Sequence, residues 1–168
     1  MNKNIKLTCV YPNLYCRNSL YGGNWNKQDF TEDTKAIIRE RPVAFYAYLS
    51  TVVNISSNQP IVYDLVKVNI GNGYNKYSGH FRAPVSGLYF FMNTVMSKPD
   101  HSIHVAIMKN GEGYSYNWAD SYGYESGTAG MIMELDSGDV VYVKDTDGGS
   151  EFLHPRYNAF SGFLIQPY

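Results

Sequence analysis

After Pro42 the chain runs as short stretches rich in β-branched and aromatic residues, separated by turn residues, with apolar and polar positions alternating within the stretches. The pattern predicts strands over 43–49, 61–64, 79–82, 87–96, 103–109, 114–118, 128–135, 140–144 and 158–165. Many short strands at this spacing make an all-β sandwich or jelly roll. Ile103, Val105 and Ile107 share one face, and Asn110-Gly111 supplies a two-residue turn of the kind that closes a hairpin. Ser137-Gly138 turns the chain in the same way into a strand whose Val141 and Val143 point to one side. The run 87–96 breaks the alternation of polarity: Leu88, Phe90 and Met92 fall on one face, Tyr89 and Phe91 on the other. In a two-layer sandwich only one face of each sheet meets the other sheet. A second apolar face therefore predicts cover from outside the chain, most economically by another copy.

Ahead of Pro42 the texture differs. Residues 1–28 are rich in Asn and Tyr without a period, and Tyr21-Gly22-Gly23-Asn24 is turn chemistry, so this segment reads as an appendage. Residues 29–41 start like a helix, with Asp29 and Glu32 three apart, and close with Arg39, Arg41 and then Pro42. A short linker helix is expected there. Phe30 and Ile37 make barely one heptad step, too little for a coiled coil. The main domain is then 42–168.

Both cysteines lie in the appendage, in the stretch CVYPNLYC. Tyr11-Pro12-Asn13-Leu14 reads as a turn, and a hairpin closed by Cys9 and Cys16 follows. Such a small ring contributes roughly 2 to 2.5 kcal/mol on the chain-entropy model. Two free thiols and a bridge between subunits stay open as alternatives, and a non-reducing gel with a thiol count separates the three.

Composition narrows the function classes. A chain of 168 residues suffices for one domain, hiding roughly 70% of its extended surface. With 14 Lys and Arg against 15 Asp and Glu there is no basic field to draw a nucleic acid. No apolar run reaches the roughly 20 residues of a membrane span. The polar opening MNKNIKLT lacks a signal-peptide core, so the expectation is either a cytosolic chain or a processed one; the cysteine pair favours processing and secretion. Sixteen tyrosines suit interfaces, where the ring is buried and the hydroxyl finds a partner at the edge.

Six stretches resemble the globular-head domain of complement C1q: VAFYAYLS at 43–50, IVYDLVKVNIGNGY at 61–74, GHFRAPVSGLYFF at 79–91, IMKNGE at 107–112, LDSGDVVYV at 135–143 and AFSGFLI at 159–165. The spaced set Asn69, Tyr74, Phe81, Gly87, Tyr89 and Phe91 falls in register with that family's signature. Tyr63 stands where Phe is usual, and Asn93 where an aromatic is expected, which predicts altered packing around Asn93. The resemblance implies a ten-stranded jelly roll similar to tumour necrosis factor, a tight homotrimer and secretion. It also implies a non-enzymatic role, either lectin-like recognition of carbohydrate or microbial surfaces in innate immunity, or service as a ligand for a protein receptor or extracellular matrix. No Gly-X-Y repeat occurs in these residues, so complement initiation through a collagen stem is not expected.

Candidate chemistry is sparse. No nucleophile elbow appears. His101 and His104, three apart, face opposite ways on an extended strand and make a poor metal pair; His80 is expected to point away from the core, beside inward Phe81. The resemblance implies calcium near the trimer apex, with Asp120 and Glu125 as carboxylate ligands; Asp145, Asp147 and Glu151 offer a second acidic loop. Sugar faces stack on aromatic rings while hydroxyls bond amides and carboxylates. Tyr122, Tyr124 and Asn117, joined by Arg156 and Tyr157, are the candidate ligand residues, whereas Tyr114, Tyr116 and Trp118 are expected to be buried in core or interface. Asn54-Ile55-Ser56 is a glycosylation sequon that chance also supplies in an Asn-rich chain.

Overall fold

The computed structural model describes residues 7–10, 15–18, 26–27, 42–55, 58–147 and 151–168. They fall into two units, Met1–Glu40 and Arg41–Tyr168. In the first, β1 (Leu7–Val10), β2 (Tyr15–Asn18) and β3 (Asn26–Lys27) form an antiparallel sheet in that order, with Cys9 directly opposite Cys16. The predicted turn at 11–14 and the helix expected over 29–41 lie outside the described residues.

The second unit is built of strands alone among its described residues. They are β4 (Ala44–Tyr48), β5 (Val53–Ile55), β6 (Leu65–Ile70), β7 (Tyr74–Asn75), β8 (His80–Arg82) and β9 (Gly87–Met96). There follow β10 (Ile103–Lys109), β11 (Glu112–Ala119), β12 (Ser126–Leu135), β13 (Val140–Asp145), β14 (Glu151–Leu153) and β15 (Ala159–Pro167). Ten of them form two five-stranded antiparallel sheets, β11-β10-β13-β8-β7 and β12-β9-β15-β4-β6, and β5 pairs with β14 at the side. This is the ten-stranded jelly roll. No described helix is long and apolar enough to cross a membrane.

Alternation fills the space between the sheets with rings. Phe45 of β4 lies 4.8 Å from Tyr74, 5.1 Å from Phe81 and 4.9 Å from Phe160, measured between ring centroids. Burying each such side chain contributes roughly 2 to 3 kcal/mol. Gly162 lets β15 run past this cluster, since a Cβ there would meet the Phe91 ring at 2.5 Å. The Asn110-Gly111 turn has positive φ at both residues, 49° and 95°, as a tight hairpin of this kind requires.

The two departures from the family pattern meet in this core. Asn93 Nδ2 donates to the Tyr63 hydroxyl at 2.8 Å and to the Ala159 carbonyl at 3.0 Å, and Asn117 Nδ2 donates to Asn93 Oδ1 at 3.2 Å. Tyr63 and Asn93 are both fully buried. Burial pushes the Tyr63 phenol far above its ordinary pKa, so it stays neutral and accepts the amide proton. A hydroxyl added at one position is satisfied by an amide added at the other.

On β9, Tyr89, Phe91, Asn93 and Val95 face the opposite sheet and are fully buried, while the outer face carries Leu88, Phe90 and Met92. Register sets Ile132, Phe90, Phe163, Ala44 and Ile70 side by side across that outer face. Ile132 is 59% exposed, Phe163 48% and Ile70 49%. The strand with no polar face thus leaves a broad apolar surface uncovered in one chain.

The strand expected over 61–64 is absent. Ile61 and Tyr63 are buried as the alternation implies, but Ile61 N bonds to Val143 O across an open stretch, and Asp64 accepts from Ser50 N at 2.9 Å. The ladder forms instead at β6, which pairs with β4.

Candidate functional site

Chain polarity carries the loops that follow β4, β9, β11 and β13 to one end of the sandwich. Cross-bonds tie them together: Asp100 N to Ser121 O at 2.8 Å, Arg156 N to Leu49 O at 2.9 Å and Thr146 N to His104 O at 3.0 Å. Ser97, fully buried, is the peg for the loop 120–125. Its Oγ donates to the Asp120 carbonyl at 2.6 Å and accepts from the Glu125 amide at 3.2 Å, while its own N donates to Glu125 O at 2.9 Å. Asn158, also fully buried, clamps the other side, with Nδ2 donating to His154 O at 2.7 Å and Oδ1 accepting from Met96 N at 3.1 Å.

Three tyrosines stand on this anchored base: Tyr122 is 91% exposed, Tyr124 65% and Tyr157 54%. The His154 ring links two of them, 6.0 Å from Tyr124 and 5.5 Å from Tyr157. Arg156 is exposed between them in sequence, with φ at 70° in the left-handed region. Beside this group Lys98 Nζ sits 3.5 Å over the Phe152 ring. Sequence reasoning did not single out His154, Phe152 and Lys98; a lone His in a loop or a Phe in a three-residue strand carries no periodic signal.

Asn117 does not join them. It points inward, 8% exposed, and its amide is engaged by Asn93 and by the Gly127 carbonyl at 3.2 Å. Its alternate neighbours were expected to be buried in core or interface, and the core half of that expectation is corrected. Tyr114, Tyr116 and Trp118 are 45%, 69% and 57% exposed, lying outside the core on the outer side of β11. Trp118 contacts the His104 ring at 5.9 Å, and His104 Nδ1 lies 2.9 Å from Asp147 Oδ2.

The acidic loops carry oxygens that are already partly engaged. Asp120 Oδ1 already accepts from Ser121 N at 2.6 Å, and the Asp120 and Glu125 carbonyls turn inward to Ser97. Asp145 is fully buried, one oxygen accepting from Asp147 N at 3.1 Å and the other without a partner. Among the described residues no three His, Cys, Asp or Glu side chains converge to hold a metal ion. Calcium takes six to eight oxygens, carbonyls and waters among them, of which Asp120 and Glu125 would supply two carboxylates.

Residues 44–165 match the C1q domain family model. The chain belongs to the C1q domain family. Human complement C1q tumor necrosis factor-related protein 3 is 34% identical over 131 residues, which cover 75% of this chain and 52% of that protein. The chain therefore spans about half the length of the curated relatives it matches. Among solved structures, the globular domain of the zebrafish complement 1qA protein superposes with a TM-score of 0.65 at 19% identity, covering 75% of this chain and 99% of that one. Eiger TNF from S. frugiperda gives 0.63 at 16% identity, covering 77% and 96%. These likenesses are of fold, and they place this C1q domain among the jelly rolls of both groups.

Proposed function

We propose that this C1q domain acts outside the cell as a homotrimer that recognises carbohydrate or another microbial surface pattern, without catalysis. The observation that supports it most is the uncovered row Ile132, Phe90, Phe163 and Ile70, an apolar sheet face that water leaves unsatisfied and that a second copy covers. Three protomers then present three equal loop ends, and a weak single-site affinity becomes useful avidity. Tyr124, His154 and Tyr157 offer rings for sugar faces, and Arg156 a cation for acidic substituents. Calcium through Asp120 and Glu125 belongs to this reading only as a site shared between protomers. The opposed Cys9 and Cys16 close as a disulfide in an oxidising compartment.

Sedimentation equilibrium at micromolar concentration is expected to give three times the chain mass, and glycan arrays with lipopolysaccharide and peptidoglycan to give binding. A stable monomer removes the trimer; silence on every glycan surface removes the lectin reading. Chelation is expected to lower both Tm and binding if calcium is held, and unchanged values delete calcium. A second reading, a trimeric ligand for a protein receptor or matrix, is favoured by the exposed strip of Tyr114, Tyr116 and Trp118, whose flat aromatic surface suits a protein partner. Binding that simple sugars do not compete supports that reading.

A further inference from the structure

The sheet turned away from the apolar row carries a cleft far removed in character from the loop end. It is 460 Å³ in volume, and Asn72, Asn75, Ser78, His80 and Arg82 line it. A second hollow of 390 Å³ adjoins it, sharing Asn72 and Asn75 and adding Lys76 and Tyr77. No carboxylate lines either one. Of the nearby acids, Asp139 is engaged by Asn110 Nδ2 at 2.9 Å and Lys109 Nζ at 3.2 Å, while Asp64 bonds the Ser50 amide and hydroxyl and its charge still reaches Lys76.

We infer that this double hollow is a binding site for an acidic saccharide, one bearing carboxylate or phosphate. The inference rests on the carbohydrate reading above but assigns a different surface. Arg82 is exposed, and its Nη1 donates to the Gly138 carbonyl at 2.8 Å, which fixes the guanidinium at the rim with its remaining donors available to an anion. Lys76 is the second cation, with Nζ 5.2 Å from the Tyr77 ring centroid. Tyr77 is 83% exposed, a free face on which a sugar ring stacks. Between the cations lie the two shared asparagines. Asn75 Oδ1 accepts from Tyr77 N at 2.9 Å, which orients the amide and leaves its Nδ2 for sugar hydroxyls. The Asn72 backbone is held at φ 53°, a conformation that Asn tolerates better than most residues. Cations at two edges, amides between and an exposed ring beside them match a charged sugar, whereas a neutral one would make no use of the two positive charges.

Calorimetric titration of the full chain with oligogalacturonate, mannose 6-phosphate and maltotriose tests this. One or both charged probes are expected to bind, more weakly as NaCl rises from about 50 to about 500 mM, and maltotriose to bind at least about tenfold less tightly. The stronger of the two charged probes tells whether carboxylate or phosphate is preferred. In K76Q/R82Q the charged-probe affinity is expected to fall about tenfold or more, while K144Q, which removes a cation outside both hollows and the loop end, leaves it unchanged. Should loss of the Gly138 bond unfold the double variant, K76Q alone and Y77A alone carry the same test, and unchanged affinity in both overturns the site. Binding of charged probes that survives K76Q/R82Q but is lost in Y124A/Y157A overturns the cleft and leaves carbohydrate recognition standing. Absence of binding to every saccharide, charged or neutral, overturns both.

Discussion

The sandwich turns two outer faces to its surroundings, and their chemistry diverges. Across β12-β9-β15-β4-β6 the outward residues include the apolar set Ile132, Phe90, Met92, Phe163, Val68 and Ile70, with Tyr46, Ser161 and Thr94 towards the loop end. Across β8, β13 and β10 the outward residues include Arg82, His80 with its ring tilted 4.6 Å from that of Tyr142, Lys144 and His104, where each ring or stem ends in a polar tip. The inner faces look alike, and both supply the ring cluster around Phe45. Packing between the sheets therefore fixes the fold without fixing use. What each outer face can meet is set by the residues one step out of phase: an aliphatic surface is satisfied by more protein, whereas tyrosine, histidine and cations tolerate water until a ligand replaces it.

The sharpest way to break this contrast is to charge the apolar face. Replacing Ile132 and Phe163 by Asp is expected to leave a folded monomer, since each carboxylate trapped at an interface costs about 3 to 5 kcal/mol; sedimentation equilibrium reads the mass. The control on the opposite face, His80→Gln with Arg82→Gln, is expected to keep the native mass. Within the core, Asn93→Leu is expected to cost about 2 to 4 kcal/mol in urea unfolding, because the Tyr63 hydroxyl, the Ala159 carbonyl and the Asn117 amide all lose a partner. Tyr63→Phe is expected to cost about 1 kcal/mol, and the double variant less than the sum of the two, the signature of a direct bond.

The smallest effect concerns acid. The Asn110 amide, with Asp136 N and the Lys109 ammonium, holds the Asp139 carboxyl below its ordinary 3.8 in spite of some desolvation. A depressed folded pKa means stability that is complete above 3.8 and lost as pH falls through the folded value. Asp139→Asn is expected to flatten that acid limb slightly while leaving stability near neutral pH within about 0.5 kcal/mol; unfolding curves recorded from pH 5 downwards check it.

Much of the framework was legible from alternation and turn chemistry. The long strands 87–96 and 103–109 appear at the bounds read from the chain, because each pairs along its whole length and ends at turn residues. The stretch 61–64 misled because burial and ladder bonding are separate demands: Ile61 and Tyr63 are buried at alternate positions, yet their backbone bonds lie outside the main ladders. The short pair β5 and β14 exists only through contact between distant loops, which no local pattern encodes. At the candidate site, exposure of Tyr122 and Tyr124 was readable from their place in a turn. The inward aim of Asn117 follows from its position between Tyr116 and Trp118, but aromatic clustering drew attention to the wrong face. Asn93 and Tyr63 each looked like a blemish alone; only the fold brings 30 residues of separation down to one hydrogen bond of 2.8 Å.

Ser97 has a consequence for how such a domain changes over time. Because its hydroxyl and amide grip the main chain at Asp120 and Glu125 rather than any side chain, the fold asks almost nothing of the identities of Ser121, Tyr122, Gly123 and Tyr124. That stretch is an interchangeable cassette, in which new specificities can be sampled by substitution while the hinge points stay put.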